Sequence, residues 1–302
     1  MPLKNKDVLT TSQVYRRQRE GTWPIVDDGW FGGGGTPSLV STIDRLNFSA
    51  EILAVSPAKL SVARGYIAAT SGNGFGWFGG GNPANSIIDR LNFSAETLAV
   101  SPATLSLAKE SLAATPGNGF GWFGGGNPAN SIIDRLNFSA ETVAVSPAKL
   151  SIARNGIAAT PGNEFGWFGG GNASGSLVST IDRLNFSAET VTVSPGKLSS
   201  TRQSLAATTG NDFGWFGGGS STSTIDRLVF SSETVAISPA KLSGARDRLA
   251  ATSGNGFGWF GGGQTPALVS TIDRLDFTAE TLAVSPSRLS TEKSSLAATA
   301  ST

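Results

Sequence analysis

Cysteine and histidine are both absent from this chain of 302 residues. Without cysteine there is no disulfide, no thiolate metal ligand and no cysteine nucleophile. Without histidine, zinc, copper and non-haem iron centres lose their commonest ligand and would need carboxylates alone, for which no motif is visible. We therefore predict no cofactor and no metal site, and we do not expect redox or metal-dependent hydrolytic catalysis.

An excess of charge and a long apolar run are also missing. The chain has 23 basic and 22 acidic residues, a formal net charge of +1, so no global field attracts nucleic acid. Residues 1–28 contain no apolar run long enough for a signal peptide or a membrane span. We expect no nucleic-acid partner and no membrane insertion; a role outside a cell would require release by lysis, particle assembly or a dedicated apparatus.

The dominant feature present is a sixfold repeat marked by Gly-Trp-Phe-Gly-Gly-Gly. Its tryptophans are Trp30, Trp77, Trp122, Trp167, Trp215 and Trp259, which are 47, 45, 45, 48 and 44 residues apart. The segment between the third glycine and the following Ile-Asp-Arg-Leu holds 8, 6, 6, 9, 5 and 8 residues in chain order. Subtracting the first five of these lengths from the five spacings leaves 39 residues each time, so one loop takes all the length variation.

Each unit contains four short strand signals and no helical pattern. In the second unit, they are residues 67–70, residues 75–78 after a Ser-Gly-Asn-Gly turn, residues 87–93, and residues 97–100, which we expect to stop at Ser101-Pro102. Four strands in about 45 residues are typical of a β-propeller blade. The predicted fold class is all-β, a six-bladed propeller of four-stranded antiparallel blades.

The ends of the repeat array predict how the ring closes. The array begins with strand two, at Trp30-Phe31, and ends with strand one, at residues 296–299. We expect the C-terminal strand to join the N-terminal blade, which removes exposed sheet edges. The predicted units are a polar arm or tether (1–28) and a propeller (29–302) with blades at 29–60 plus 290–302, 61–105, 106–150, 151–198, 199–242 and 243–289.

The repeated aromatic and glycine residues predict the core. Each Trp or Phe ring buries ~150 to 250 Å², worth ~4 to 6 kcal/mol at ~25 cal/mol/Å² before entropy is subtracted. We expect these rings to form contacts between blades and not a binding cleft. Glycines such as Gly79, Gly80 and Gly81 suit close packing or backbone conformations that other residues avoid.

The order of motifs resembles kelch repeats. It runs Leu60-Ser61-Val62-Ala63-Arg64, a small-residue strand, Trp77-Phe78-Gly79-Gly80-Gly81 and Ile88-Asp89-Arg90-Leu91, over about nine tenths of the chain. The tryptophan that kelch repeats have on strand four is replaced by Thr97-Leu98-Ala99-Val100. The repeats and the polar lead-in at residues 15–24 also resemble kelch-like repeat proteins of marine phages, which implies a virion component.

Variation between the units predicts one functional face. Connections after strands two and four leave the ring at the same end, where both the loop length and the residues after the repeated basic position change. Loops on a rigid scaffold often carry recognition, although drift in tolerant loops would look the same. The candidate binding residues are Thr36, Ser38, Tyr66, Asn82, Asn85, Glu110, Asn127, Asn130, Asn155, Asn172, Ser174, Gln203, Ser221, Asp247, Arg248, Gln264 and Thr265.

The repeated charges predict ion pairs and not a catalytic site. Six Asp-Arg dipeptides, such as Asp89-Arg90, and six further basic residues, such as Arg64, recur with the units. A catalytic pair is normally unique in a chain, and charges on strands need partners, so we expect no catalytic residue. The four Asn-Phe-Ser sequons, at Asn47, Asn92, Asn137 and Asn185, recur because the unit recurs, and we treat them as coincidental.

Three functions remain open at this stage. The first is a non-enzymatic binding or adhesion head, such as a phage tail or fibre component, that recognises a host-surface glycan or protein and is attached to virion structural proteins by its arm. The expected location is then the virion or the extracellular space. The second is an intracellular scaffold for protein interactions, located in the cytoplasm. The third, an enzyme, is least consistent with the repetitive acids.

Overall fold

A computed structural model describes residues 27–162 and 164–301, and all of its regular structure in these residues is β-strand. Each of the six four-stranded sheets is an antiparallel meander. The strands of the first three blades, from the axis outwards, are Ala297–Ala300, Asp28–Gly32, Thr42–Asn47 and Ile52–Lys59; Ala68–Gly72, Phe75–Gly79, Asn85–Asn92 and Thr97–Lys109; and Ala113–Gly117, Phe120–Gly124, Asn130–Asn137 and Thr142–Arg154.

The other three blades have the same four-stranded order. Their strands are Ala158–Gly162, Phe165–Gly169, Thr180–Asn185 and Thr190–Lys197; Ala206–Gly210, Phe213–Gly217, Thr224–Val229 and Thr234–Lys241; and Ala250–Gly254, Phe257–Gly261, Thr271–Asp276 and Thr281–Arg288. Three loops after strand two contain a small hairpin, formed by Gly35–Thr36 with Ser38–Leu39, Asn172–Ala173 with Ser176–Leu177, and Gln264–Thr265 with Ala267–Leu268. The predicted N-terminal arm lies almost wholly outside the described residues.

The blades form a closed ring, as predicted. Strand one of each blade contacts strand one of both neighbouring blades around the axis. The C-terminal strand Ala297–Ala300 pairs with Asp28–Gly32, with Thr299 opposite Trp30. Two hydrogen bonds between Asp28 and Ser301 extend this pairing. The Asp28 N–H donates to the Ser301 hydroxyl and the Ser301 N–H donates to the Asp28 carbonyl, each at 3.0 Å. The sixfold fold is therefore closed by a sheet built from both ends of the repeat array.

Strand four is longer than predicted. In the second blade it continues through Ser101 and Pro102 as far as Lys109, and in every blade it passes the equivalent Ser-Pro. Strand four is the outer strand of each sheet, where a proline that lacks an N–H removes no hydrogen bond from the ladder. The prediction that Ser-Pro ends the strand was wrong because proline stops a central strand but not an edge strand.

The apolar core is divided into six clusters, each shared by two neighbouring blades. All six repeat tryptophans are fully buried, and each stacks on a phenylalanine of the next blade. Trp77, for example, lies 5.7 Å from Phe138, and Trp259 lies 5.3 Å from Phe48 across the closure. The expectation that these rings form contacts between blades is confirmed.

The repeated glycines permit this close approach of the blades. A Cβ on Gly79 would lie 2.7 Å from the Phe123 ring of the next blade. Gly80 and Gly81 have φ of +69° and +117°, in the region of backbone space that favours glycine. Gly80 and Gly81 therefore turn the chain out of strand two, and Gly79 leaves room for the aromatic ring of the next blade.

Two belts of ion pairs account for the repeated charges. Neighbouring residues of a strand point to opposite faces, so Asp89 and Arg90 have different partners. Asp89 pairs with Arg64 at 2.9 Å, where both side chains are fully buried, whereas Arg90 pairs with Glu141 of the next blade near the surface. The same two pairings occur in all six blades. The predicted structural pairing is confirmed.

Asp27, where the described chain enters the first blade, provides a pH-dependent contribution to stability. Burial, with a smaller effect of the Asp28 charge, raises the pKa of Asp27 to about 6, against an opposing hydrogen bond from the Asn255 backbone. The folded pKa lies above the unfolded value of 3.8, so the ionised carboxylate destabilises the fold above pH 6, and this cost disappears as the pH falls towards 4. Asp27→Asn should therefore stabilise the protein at pH 7.5 by up to ~1 kcal/mol after solvent screening, with little effect at pH 4.5.

Asp212→Asn is the matched control for this prediction. Asp212 is exposed in a turn at the same end of the ring, and its positive φ of 64° is one that asparagine tolerates. Urea unfolding of both variants at pH 4.5, 6 and 7.5 compares them with the parent. A gain from Asp27→Asn that is equal at all three pH values would contradict the titration of this carboxyl.

Candidate functional site

The two ends of the ring differ chemically. We call the end formed by the connections after strands two and four the variable face, and the end formed by the turns after strands one and three the constant face. The turns of the constant face keep the same Gly-Asn and Ala-Glu residues in most units, and the Asn side chain of the strand-three end caps the following turn, as Asn92 does for Ser94 and Ala95. The length differences between units all lie on the variable face.

The structure brings every candidate binding residue to the variable face. They occupy three concentric zones: an inner ring around the axis, a middle ring that links neighbouring blades, and the outer loop tips. The inner zone holds Tyr66 and Arg248; the middle zone holds Asn82, Glu110, Asn127, Asn155, Asn172, Gln203, Asp247 and Gln264; and the loops hold Thr36, Ser38, Asn85, Asn130, Ser174, Ser221 and Thr265.

The middle ring is a set of short bridges between the two connections. Gly65 bridges to Asn82, Glu110 to Asn127, Asn155 to Asn172 and Asp247 to Gln264, each as an isolated antiparallel pair. In the fifth blade, which has the shortest loop, the Ser220 hydroxyl accepts the Gln203 N–H at 3.1 Å instead. These bridges hold the variable side chains in a fixed backbone frame.

The inner ring is a closed cycle of six backbone hydrogen bonds. Each residue that precedes strand one by two positions donates its N–H to the carbonyl of its neighbour in the previous blade, at 2.7–2.8 Å, until the cycle returns to its start. The members of the cycle are Tyr66, Ser111, Gly156, Ser204, Arg248 and Ser295. The cycle frames the axis, so its six side chains surround the centre of the variable face.

All six residues of the inner ring have positive φ, between 55° and 62°. Glycine or a small polar residue adopts this conformation most readily, whereas a bulky residue there is uncommon and strained. Four of the positions are serine or glycine, but Tyr66 has φ of 55° and Arg248 also has φ of 55°. Two large side chains are therefore held at the centre of this face in a conformation that disfavours them.

Tyr66 and Arg248 contact each other across the inner ring. The guanidinium carbon of Arg248 lies 5.6 Å from the centre of the Tyr66 ring, within the range of a cation–π interaction. Its Nη1 donates to the Gln264 side-chain oxygen at 3.3 Å. Beside it, burial raises the pKa of Asp247, an effect that the charge of Arg248 opposes. The two large side chains lie on one half of the inner ring, whereas the other half has only the small residues Ser111, Gly156 and Ser204.

Two small cavities adjoin Tyr66, and the first of them is also lined by Arg248. An axial cavity of about 60 Å³ is lined by the inner ring and the apolar residues that follow it. A second cavity, of about 230 Å³, lies between the loops of the first and sixth blades, with Tyr66 as one wall and Pro37, Leu39 and Leu268 nearby. The Tyr66 ring thus separates a polar axial depression from a partly apolar groove.

Unpaired charges are segregated between the two faces. Twelve ion pairs use all but six of the basic residues and all but eight of the acidic residues in the described part of the chain. All six remaining cations are at the variable end: Lys59, Lys149, Lys197, Lys241, Arg248 and Arg288. Of the remaining acids, Glu110, Asp247 and Glu292 are at this end, and Asp27, Asp28, Glu164, Asp212 and Asp276 are at the constant end.

Four of the candidate asparagines have side-chain contacts within the protein: Asn127 donates to the Glu110 carboxylate, Asn172 accepts from the Gly175 N–H, and Asn85 and Asn130 hold their own loops. The Asn85 side chain donates to the carbonyls of Gly81 and Pro83, and its oxygen accepts from Ile87 N–H and from Arg64. Asn130 makes the equivalent contacts with Gly126 and Pro128. These amides hold their loops and have less hydrogen-bonding capacity left for a ligand, whereas Ser38, Ser174 and Ser221 are exposed.

Sequence reasoning missed part of this arrangement. It placed Tyr66 and Arg248 among the candidate binding residues but left out Ser111, Ser204 and Ser295, because nothing local reveals a hydrogen-bond cycle among residues about 45 positions apart. It also missed the exposed cations at the end of strand four. Their signal was the repeated Ser-Pro-Ala-Lys, which the expected end of the strand at Ser-Pro concealed.

The arrangement defines a six-bladed β-propeller with a rigid scaffold and one chemically varied face, a fold that suits binding or scaffold roles. No model of a known protein family and no curated protein sequence matches the chain, so the resemblance to kelch repeats depends on the motif residues alone. Among the described residues no three acidic side chains cluster as metal ligands would, and no helix has the length and hydropathy of a membrane span.

Proposed function

We propose that this chain is a non-enzymatic binding protein that recognises a glycan or a protein on a host surface through its variable face. The observation that carries the proposal is the concentration of variation at one end of an otherwise sixfold ring, where all the differences in loop length lie. Within that end, the two bulky inner-ring residues Tyr66 and Arg248 are placed where small residues fit better. Strained conformations of this kind concentrate at functional sites.

The position of the N-terminal arm supports an attached recognition head. Asp28 begins strand two of the first blade at the constant face, and Ser301 follows strand one at the same face. The described chain therefore begins, at residue 27, at the end opposite the varied loops. Attachment of residues 1–28 to the structural proteins of a larger particle, such as a virion tail or fibre, would point the variable face outwards.

The repeated acids support a binding role over catalysis. Each repeat aspartate, such as Asp182, is buried against a cation, and each repeat glutamate, such as Glu189, pairs with an arginine of the preceding blade. All twelve of these repeat carboxylates form ion pairs that stabilise the scaffold. An intracellular scaffold would use the same face for a soluble protein, and the experiment below separates the two roles by target.

The test variant, called the loop variant, replaces five of the loops after strand two with the shortest one, residues 220–224 of the fifth blade, and replaces Tyr66 and Arg248 with serine, the residue at the equivalent position in three blades. That loop already connects strands two and three in this scaffold, through Ser220, Thr222 and Ser223 backbone hydrogen bonds. Binding of the parent and the loop variant is measured on a glycan array and on host cells. We expect the parent to bind and the loop variant to lose at least about 90% of the signal, because recognition depends on the replaced side chains.

The control alters the constant face to a similar extent. Asn73, Asn118 and Asn211 have positive φ in its turns, so glycine can replace them without backbone strain. This triple variant should bind as the parent does. Retained binding in the loop variant, or binding lost in the control, would contradict recognition by the variable face; binding only to soluble intracellular proteins would favour the scaffold role.

A further inference from the structure

Arg248 is the one buried or half-buried arginine of the described chain without a carboxylate partner. Ten of the other arginines form ion pairs, and Arg288, which does not, is exposed on the outer strand of its blade. Arg248 is half-buried at the axis, and its one side-chain hydrogen bond is donated to the neutral side chain of Gln264. A guanidinium has five N–H donors in a planar fork that matches a carboxylate.

The surroundings of Arg248 also match a sugar. Tyr66 supports the guanidinium on one side and forms a wall of the 230 Å³ groove on the other, beside Leu39 and Leu268. An aromatic ring with a few convergent polar groups is typical of small-ligand sites. The serines of the inner ring, at positions 111, 204 and 295, add hydroxyls that can donate or accept around the axis.

Charge outside the axis favours an anionic ligand. Five exposed cations, at the ends of strand four in five blades, surround the variable face, which holds three more unpaired cations than unpaired acids. Within residues 27–162 and 164–301, the constant face holds five unpaired acids and no unpaired cation. Such segregation steers an anion towards one end of the molecule. The acids that oppose it on this face are Glu110, Asp247 and Glu292.

We propose, on the basis of the proposed function, that the variable face binds an acidic glycan, with Arg248 receiving the carboxylate of one sugar and Tyr66 contacting its ring. The outer cations contact further acidic sugars along the same chain. Both uronic-acid polymers and sialylated oligosaccharides carry this chemistry, and they differ in whether a long chain is needed to reach the outer cations.

Calorimetry on the full chain tests the inference with polygalacturonate and with 3′-sialyllactose, compared with highly methyl-esterified pectin and lactose as neutral counterparts. The variants are Arg248→Ser and Tyr66→Ser. Serine occupies the equivalent position in three blades with φ of 56°, 57° and 60°, so both variants should fold. We expect Arg248→Ser to weaken binding of the acidic ligand by at least about tenfold and Tyr66→Ser by about three- to tenfold.

The constant-face variant with glycine at positions 73, 118 and 211 is the control and should bind as the parent does, whereas Arg288→Ser removes one of the five outer cations and should weaken binding less than about threefold. Binding of polygalacturonate alone identifies a uronic-acid polymer, and binding of both ligands identifies the single acidic sugar as sufficient. Equal binding of the neutral counterparts, or an unchanged affinity in Arg248→Ser, would overturn the acidic-glycan assignment while leaving recognition by the variable face intact. Loss of host-cell binding in the loop variant, without binding of any acidic glycan, would likewise overturn only this assignment.

Discussion

Removal of residues 290–302 is expected to lower the melting temperature by at least about 10 °C. The deletion removes strand one of the first blade and exposes the edge of Asp28–Gly32, including the buried Trp30. It also removes Lys293 and the Ser290 N–H, which are the partners of the fully buried Asp44 carboxylate at 3.0 and 3.2 Å. An uncompensated buried charge costs ~3 to 5 kcal/mol, and the loss of buried Leu296 adds ~2 kcal/mol.

A circular permutant separates loss of the strand from loss of chain continuity. Residues 290–302 are placed directly before Asp27, so the new termini fall at Leu289 and Ser290 on the variable face. Ser301 and Asp28 already contact each other at the constant face, where other blades connect the same strands by a short turn. The permutant should melt within a few degrees of the parent in differential scanning calorimetry. A deletion variant that melts as the parent does would contradict the closed ring.

Asp182→Asn is expected to destabilise the protein by ~3 to 5 kcal/mol, because it leaves the Arg154 charge buried without a counter-charge. Asp182 and Arg154 are fully buried, with Asp182 Oδ2 3.0 Å from Arg154 Nη2 and 2.9 Å from the Ser151 nitrogen. Burial lowers the pKa of the guanidinium, and the carboxylate counteracts this. Equilibrium unfolding in guanidinium chloride measures the loss.

Glu189→Gln provides the comparison in the outer belt of ion pairs. Glu189 pairs with Arg135, and the two side chains are 17% and 31% exposed, so solvent screens their attraction. This variant should lose no more than ~1 kcal/mol. The double replacement of Arg154 by Met and Asp182 by Leu should recover part of the Asp182→Asn loss, because it removes both charges together. Equal losses for Asp182→Asn and Glu189→Gln would contradict the distinction between the belts.

The outer belt of ion pairs links each blade to the next around the ring. Each outer pair joins an arginine on strand three to a glutamate in the next blade, and five of the six glutamates also accept from a strand-four serine of the first, as Glu96 does from Ser56. The same contact connects the sixth blade to Glu51 of the first. The inner-ring residues can therefore differ between blades without altering these scaffold contacts.

The sequence by itself determined the repeat, the all-β class, the four-stranded blade and the closure by the C-terminal strand. These follow from local signals and from counting: alternating turns and short apolar runs, a loop that takes every insertion, and an array that begins at strand two and ends at strand one. It also identified the variable face, because the connectivity of a meander decides which loops share an end.

Only the tertiary structure decided which side chains meet. The cycle of six hydrogen bonds, the contact of Tyr66 with Arg248 and the grouping of unpaired cations join residues that are about 45 to 230 positions apart, as set by the curvature of the ring. The tertiary structure also decided that Pro102 lies inside a strand. A strand at the edge of a sheet has a partner on one side only, so a proline there need not remove a hydrogen bond between strands. Local sequence determines backbone conformation, whereas the chemistry of a face depends on packing between blades, which no single repeat contains.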